Sequence, residues 1–206
     1  NSNKAICFIT GVPGAGKTLV GLNIATDKSE AIGVGKETVF LSGNGPLVSV
    51  LSEALARDKV KNHKDKGEKI TKTDALREVK KFIQNIHHFR DDNLNAESAP
   101  YEKVVIFDES QRAWDEKQLS TKMREKGHTI KESEPDLLIS VMNKHLDWCV
   151  IVCLVGGGQE INNGEAGIST WIESMDKNYK DWKVYLSDHI KNKEYSWGYN
   201  FDQIIN

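Results

Sequence analysis

Eight residues near the start of the chain have the types and the spacing that hold a phosphate group. Residues 11–18 read Gly-Val-Pro-Gly-Ala-Gly-Lys-Thr, which fits the pattern of a glycine, four free positions and Gly-Lys-Thr. Its glycines let successive backbone N–H groups turn inward toward phosphate oxygens. Lys17 then has the reach for the β- and γ-phosphates, and the Thr18 hydroxyl can ligate Mg²⁺. The pattern predicts a site for a nucleoside triphosphate.

The elements on either side of this loop are of the required kinds. Residues 5–9 form a short apolar run typical of a buried strand, and residues 19–25 carry apolar side chains at helical spacing. Strand, loop and helix follow in the required order, which argues against a chance glycine-rich turn. The predicted nucleotide-binding residues of this segment are Gly11, Pro13, Gly14, Ala15, Gly16, Lys17, Thr18 and Leu19.

The second chemical signal is an apolar run that ends in two adjacent carboxylates. Residues 104–107 are apolar, and Asp108 and Glu109 follow them, which is the Walker B arrangement. We expect Asp108 to hold the Mg²⁺ shell and Glu109 to polarise the attacking water as a catalytic base. A module that only binds nucleotide has no need of Glu109, so the pair favours hydrolysis over binding alone.

A third candidate follows the most apolar stretch of the chain. Residues 148–155 predict a central strand, and three glycines and Gln159 come directly after it. An amide just beyond a strand that neighbours the Walker strands can register the terminal phosphate. We therefore expect Gln159 to bind the nucleotide as a γ-phosphate sensor and to contribute to catalysis.

Composition limits the classes of protein that need to be considered. The 206 residues suit one α/β domain, and the net charge of −2 means that any nucleic-acid surface must be local. No apolar run approaches the roughly 20 residues of a membrane span, so no membrane association is expected. The cysteines at positions 7, 149 and 153 lie in strand-like runs without further ligands nearby. They predict buried thiols in a reducing cytoplasm, where we expect the protein to reside, and argue against a metal centre.

The pattern elsewhere predicts a strand at 38–42, helices at 47–56, 73–86, 136–146 and 166–175, and a last strand at 182–186. Residues 57–81 carry ten basic and five acidic side chains, and 57–72 read as a basic, mobile loop. That stretch is either a flap near the phosphate loop that grips nucleic acid or a solvated surface. Gly43 and Asn44, after the second strand, either touch a nucleic-acid backbone or form a plain turn.

Three segments together resemble the Schlafen group 3-like DNA/RNA helicase domain family. They are residues 11–18, residues 105–115 (VIFDESQRAWD) and residues 155–168 (VGGGQEINNGEAGI), and the His-His-Phe-Arg of 87–90 strengthens the likeness. The resemblance extends over roughly residues 4–190 and is most particular in the Gln-Glu-Ile-Asn-Asn-Gly-Glu run. It implies the first RecA-like lobe of a superfamily 1-type ATPase, with a mostly parallel sheet, helices on both faces, and ATP and Mg²⁺ as cofactors.

The resemblance also implies partners. A family motor binds DNA or RNA and has a second RecA-like lobe that supplies an arginine finger. The last arginine of the sequence is Arg124, so we expect a second lobe or a partner chain to provide the arginine finger. A lysine cannot replace that arginine, because an ammonium group lacks the planar fork that binds phosphate through two hydrogen bonds. Residues 1–190 are then the ATPase lobe, and 191–206 are a tail at which a second lobe would begin. Alone, this lobe is expected to hydrolyse ATP slowly and to unwind nothing.

Two other classes of function are compatible with a phosphate loop. A small-molecule kinase needs a lid with arginines, and residues 57–81 contain only Arg57 and Arg77, which disfavours it. A nucleotide-dependent interaction module, such as a phage-assembly or toxin-type ATPase, would recruit partners without moving along nucleic acid. Stimulation of turnover by a polymer separates the motor from both.

Overall fold

A computed structural model describes residues 3–26, 37–157, 163–187 and 189 of the chain. The predicted sensor Gln159 and the predicted tail at 191–206 lie outside these ranges. The strands in the described part are β1 Asn3–Gly11, β2 Thr38–Ser42, β3 Ile83–Asn85, β4 Val104–Asp108, β5 Trp148–Gly156 and β6 Lys183–Leu186. The helices are α1 Lys17–Thr26, α2 Gly45–Asp65, α3 Lys72–Val79, α4 Ile86–Asn93, α5 Glu116–Glu125, α6 Glu134–Asn143 and α7 Gly167–Asn178.

All described strands belong to one sheet in the order β3-β2-β4-β5-β1-β6, and every neighbouring pair is parallel. The predicted mostly parallel α/β fold is therefore confirmed. Strand β5 lies between β1, which leads into the predicted phosphate loop, and β4, which ends at the predicted Walker B carboxylates. Because parallel strands end at the same edge, these segments meet at the carboxyl edge of the sheet.

Two apolar cores cover the two faces of the sheet, as alternating side chains of β4 show. Val105 and Phe107 pack in one core with α4, α6 and α7, whereas Val104 and Ile106 pack in the other with α1, α2 and α3. Strands buried on both faces explain the nearly continuous apolar runs in the sequence. Helices thus lie on both faces, as predicted. Cys149 and Cys153 are buried, and Cys7 is half-buried.

Glycine at position 21 brings α1 unusually close to the sheet. A Cβ atom there would lie 2.8 Å from Leu154 Cδ1, 2.9 Å from Phe40 Cε2 and 3.0 Å from Ile106 Cγ2. Real Cβ atoms essentially never approach so closely, so only glycine allows this packing. The close contact sets the position of the helix that begins at Lys17.

Two predictions about the segment between β2 and β4 are wrong. Helix α2 continues to Asp65, so most of the predicted loop at 57–72 is helical. Its charged side chains occupy exposed faces, while Ala56 is buried and Val60 packs against the core. The predicted helix at 73–86 ends at Val79, because the short strand β3 begins at Ile83 and pairs with β2.

The basic segment also lies away from the phosphate loop. Helix α2 starts at Gly45, after the carboxyl end of β2, and fourteen residues further on Lys59 forms a salt bridge with Glu78. Glu78 lies on α3, which precedes β3, and the first residue of β3, Ile83, pairs with Phe40 in the middle of β2. Because a helix rises about 1.5 Å per residue, Lys59 and the lysines after it on α2 lie about 20 Å or more along the helix from its start, which argues against the alternative of a flap beside the predicted nucleotide site.

Candidate active site

The loop between β1 and α1 is shaped by two glycines in the left-handed backbone region. Gly14 has φ of 80° and Gly16 has φ of 86°, conformations that other residues rarely adopt. The Lys17 ammonium lies across the loop and donates to the carbonyl of Gly11 at 2.7 Å and to that of Val12 at 3.1 Å. Lys17, which begins α1, is the only cationic side chain among residues 11–18, and its ammonium group is hydrogen-bonded to the backbone of the loop itself.

Thr18 and Asp108 meet at the carboxyl edge of the sheet. The Thr18 hydroxyl donates to Asp108 Oδ1 at 3.2 Å. Asp108 is buried, and among the described residues its second oxygen, Oδ2, has no hydrogen-bond partner. Burial raises the pKa of Asp108 to about 6, and the neighbouring Glu109 adds to the effect, while the Thr18 hydrogen bond and Lys17 oppose it.

This pair fits a hard divalent cation. A hydroxyl and a carboxylate are oxygen ligands of the kind Mg²⁺ takes, usually with waters and substrate phosphates completing its shell. A cation would also satisfy the orphan oxygen of Asp108. In the described part of the chain there is no cluster of three or more His, Cys, Asp or Glu side chains that could hold a metal ion.

Glu109 adopts a strained backbone conformation beside this pair. Its φ of 53° and ψ of 46° are left-handed, and among the described residues no other non-glycine has positive φ. Such a conformation costs about 1–2 kcal/mol and clusters at functional sites. One carboxylate oxygen of Glu109 accepts a hydrogen bond from Gln111 Nε2. The half-buried carboxylate therefore has a defined orientation at the end of β4.

Glu109 separates two openings. The first, of about 530 Å³, lies on the phosphate-loop side and is lined by Pro13, Gly14, Gly16, Lys17, Thr18, Leu19, Leu22, Leu51 and Glu109. The second, of about 500 Å³, is lined by residues that include Ser42, Gly43, Asn44, His87, Asp108, Glu109, Arg112, Trp114 and Glu134. A group bound in either opening would reach the same carboxylate from a different side.

A buried ion pair supports the far wall of the second opening. Arg90 and Glu134 are each about 2% exposed or less, and Arg90 NH1 donates to Glu134 Oε1 at 3.0 Å. The other oxygen of Glu134 accepts from the backbone N–H of Trp114 at 3.0 Å. Arg90 also lies 5.0 Å from the centre of the Trp114 ring. The pair thereby fixes the chain just beyond the Walker B carboxylates.

His87 packs against this ion pair as a neutral ring. Its ring centre lies 4.5 Å from that of Trp114, and its Nδ1 lies 3.2 Å from Arg90 NH1. Burial, together with the nearby Arg90 charge, lowers the pKa of His87 to about 4. Although Nδ1 is 3.9 Å from the Glu134 carboxylate, the ring is therefore uncharged near neutral pH. These contacts give His87 a structural role at the start of helix α4.

The segments that suggested the family likeness also pair with each other. Trp114 forms an isolated β-bridge with Glu165, and the Ala166 N–H donates to the Ala113 carbonyl at 2.6 Å. Residues 113–115 and 164–166, far apart in sequence, therefore lie side by side. Sequence reasoning did not anticipate this pairing, nor the roles of Gln111, Arg90 and Glu134, because single residues at irregular spacing carry no periodic signal.

An apolar patch borders the phosphate loop. Val12, Leu19 and Val20 are 51%, 61% and 43% exposed, respectively, and Ile24 continues the same helix at 37%. Large apolar side chains clustered on a surface mark a contact with another molecule or domain more often than isolated ones do. No helix in the described ranges is both long and apolar enough to cross a membrane.

The parallel sheet, the loop at the end of β1 and the carboxylates at the end of β4 define a RecA-like α/β domain. Residues 4–194 match the family described as Schlafen group 3, DNA/RNA helicase domain, and the chain belongs to this family. No curated protein is significantly similar to it in sequence.

A solved structure is similar in fold. The Hef helicase domain of Pyrococcus furiosus, determined by crystallography, is 13% identical with a TM-score of 0.47. The alignment covers 90% of this chain and 35% of that one, so this chain spans about a third of the length of its structural neighbour.

Proposed function

We propose that this domain binds ATP with Mg²⁺ and hydrolyses it as the first lobe of a nucleic-acid motor. The observation that carries the proposal is the contact of Thr18 with Asp108, which leaves one buried carboxylate oxygen without a partner directly beside Glu109. Family membership supports the helicase-type assignment. The phosphate-loop geometry supports the nucleotide.

Each site residue has a role in this proposal. Backbone N–H groups of residues 11–18 and the Lys17 ammonium bind the phosphates, and Pro13, Ala15 and Leu19 shape the loop around them. Thr18 ligates Mg²⁺ and Asp108 holds its water shell. When bound, the ion neutralises charge on the phosphates as the terminal one departs. Gln159, which lies outside the described residues, is the proposed sensor of the γ-phosphate.

The chemistry proposed for Glu109 is general-base catalysis. Its carboxylate accepts a proton from a water molecule as that water's oxygen bonds to the γ-phosphorus. The bond from phosphorus to the bridging oxygen breaks, and the products are ADP and inorganic phosphate. A carboxylate with a fixed orientation between the two openings suits this role, because it does not have to be reoriented before each turnover.

A second RecA-like lobe or a partner chain is proposed to complete the site. The exposed apolar patch of Val12, Leu19 and Val20 borders the phosphate loop, where a second lobe would close over the nucleotide. Closure would bury this patch and bring an arginine to the phosphates. The sequence contains no arginine after Arg124, so the second lobe or partner chain would supply it. Slow turnover by the isolated domain follows from this arrangement.

Single-stranded nucleic acid is proposed to bind at the mouth of the second opening. Gly43 and Asn44 are exposed at its rim beside the start of α2, and Arg112 is exposed on the other side. Backbone and amide donors with an arginine suit phosphates, and Trp114 supplies an aromatic ring within the same opening. A strand bound there would lie close to Glu109, which would couple polymer binding to hydrolysis.

Polymer-stimulated turnover tests this proposal. ATP hydrolysis is measured with and without single-stranded DNA or RNA, for the wild type, Arg112→Glu and Lys66→Glu. We expect stimulation that is lost in Arg112→Glu and kept in Lys66→Glu, since Lys66 caps the far end of α2, about 30 Å along the helix from Asn44. Turnover that no polymer changes would instead favour the nucleotide-dependent interaction module.

A further inference from the structure

Gln111 links the proposed catalytic glutamate to the neighbouring strand. Its side chain is 1% exposed. Its Nε2 donates to a carboxylate oxygen of Glu109, and its Oε1 accepts from the backbone N–H of Gly156 at 3.1 Å. Gly156 is the last residue of β5. One buried amide therefore connects the carboxyl ends of β4 and β5.

The orientation of this amide follows from chemistry. The Gly156 N–H can only donate, so the amide atom that faces it must be the oxygen. That leaves the NH₂ group facing Glu109, where a carboxylate oxygen accepts. The two contacts are thus mutually dependent, and a 180° turn of the amide would lose both of them.

The end of β5 is also tied to the phosphate loop. The Gly157 N–H donates to the Gly11 carbonyl at 3.3 Å, and Lys17 donates to the same carbonyl. On the other side, Ser110 Oγ donates to the Leu154 carbonyl at 3.1 Å. The last residues of β5 therefore contact both the nucleotide-binding loop and the segment that carries Glu109.

We propose that Gln111 is a positioning residue that sets the orientation of Glu109 according to the position of the β5 carboxyl end. The inference rests on the proposed hydrolysis. Glu109 is held in a strained backbone conformation at the surface of the site, and the described hydrogen bond to its side chain comes from Gln111. A shift of Gly156 would change that hydrogen bond and with it the direction of the base.

These hydrogen bonds connect the carboxyl end of β5 to the proposed catalytic base, Glu109. Gln159 follows Gly156 by three residues. A γ-phosphate contact made there would pull on the strand end to which Gln111 is bonded. Recognition of the terminal phosphate by the proposed sensor and orientation of Glu109 would then be coupled through the Gln111 amide.

Two substitutions separate positioning from a purely structural role. Gln111→Met keeps the side-chain length and removes both hydrogen bonds. Gln111→Glu keeps an acceptor for the Gly156 N–H but replaces the donor that faces Glu109 with a second carboxylate oxygen. Gln84→Met is the matched control, because the amide of Gln84 is exposed and donates at 3.4 Å to the Lys81 carbonyl.

The test is Mg²⁺-dependent ATP turnover with kcat and KM determined separately, ATP affinity by titration, and thermal unfolding of every variant. We expect kcat to fall at least about tenfold in both Gln111 variants, with KM and ATP affinity within about threefold of wild type. Gln84→Met should match wild type. If Gln111→Met fails to fold, Gln111→Glu still decides the question, because it retains the contact with β5.

Three results would overturn the inference. Wild-type kcat in Gln111→Glu would limit Gln111 to tethering β5, and a raised KM with unchanged kcat would assign it to nucleotide binding. Both leave the proposed hydrolysis intact. Absence of turnover in the wild type would reject the inference together with the proposed function, which keeps the two failures distinguishable.

Discussion

Thr18 donates a hydrogen bond to Asp108 across 3.2 Å, although the two residues are 90 positions apart in the chain. The contact joins the end of the phosphate loop to the end of β4, two strands away across β5. The other oxygen of Asp108 is buried without a described partner, and in our proposal this pair shares a cation. The contact is the main support for the proposal that the domain is an ATPase lobe.

Substitution of Thr18 should expose the dependence on metal. Thr18→Ala removes a proposed Mg²⁺ ligand, so ATP affinity in the presence of Mg²⁺ should fall by at least about tenfold, or about 1.4 kcal/mol of binding free energy. Thr18→Ser keeps the hydroxyl and should bind like wild type. Titration of ATP with and without EDTA measures the effect. Equal affinity of Thr18→Ala and wild type in Mg²⁺ would remove Thr18 from the metal site.

The buried pair of Arg90 and Glu134 predicts a large loss of stability on truncation. Arg90→Ala leaves the Glu134 carboxylate buried without its charge partner, which should lower the free energy of unfolding by about 3–5 kcal/mol. The exposed pair of Lys122 and Glu125 is the control, and Lys122→Ala should change the free energy of unfolding by less than about 0.5 kcal/mol. Urea denaturation compares them. Similar effects of both substitutions would contradict the assigned burial.

His87 predicts a specific pH dependence of stability. Its folded-state pKa of about 4 lies below the unfolded value of 6.5, so the unfolded chain binds the proton more readily. Its contribution to stability is complete above pH 6.5 and is lost as the pH falls toward 4. The facing charges are Arg90, Lys126, Asp91 and Glu134, with His88 adjacent.

His87→Phe keeps an aromatic ring against Trp114 but cannot titrate. Between pH 7 and pH 5 the wild type should lose about 1–2 kcal/mol more unfolding free energy than this variant, allowing for the partial exposure of the histidine. Urea denaturation at both pH values measures the difference. Parallel losses in the two proteins would show that His87 is not the titrating group.

Gly21 sets two effects against each other. Alanine has the higher helix propensity, by about 1 kcal/mol, yet the new Cβ would lie 2.8 Å from Leu154 Cδ1. We expect the steric cost to exceed the gain in helix propensity, so that Gly21→Ala lowers the unfolding free energy by about 1–3 kcal/mol. The exposed position 23 on the same helix, as Asn23→Ala, should be neutral or stabilising. Thermal unfolding distinguishes the outcomes, and a stabilised Gly21→Ala would contradict the close packing.

The sequence predicted the parts of the fold that have a regular pattern. The apolar runs of β1, β2, β4 and β5 and the phosphate-loop spacing were enough to predict a parallel sheet with both Walker segments at one edge. The three-residue strand β3 was missed because Ile83 and Ile86 continued the helical spacing of α3. The charged half of α2 was taken for a loop because its apolar contacts, through Ala56 and Val60, are sparse.

Contacts between irregularly spaced single residues were not predictable. Gln111 stands in the segment that suggested the family, yet its role depends on the register that places Gly156 opposite it. Arg90 and Glu134 are 44 residues apart and come together only after α4 and α6 pack on the same face of the sheet. The left-handed backbone conformation of Glu109 was likewise not predictable from the residue type, since glutamate seldom adopts this conformation.

The central claim is tested most directly by Mg²⁺-dependent ATP turnover of wild type, Lys17→Ala and Glu109→Gln, with ATP binding measured in parallel. The account predicts slow turnover by wild type and a fall in kcat of about 10²–10⁴ in Glu109→Gln, which should still bind ATP. Lys17→Ala should lose both binding and turnover. Wild-type turnover in Glu109→Gln would contradict the assignment of the catalytic base, and a wild type that neither binds nor hydrolyses ATP would contradict the account as a whole.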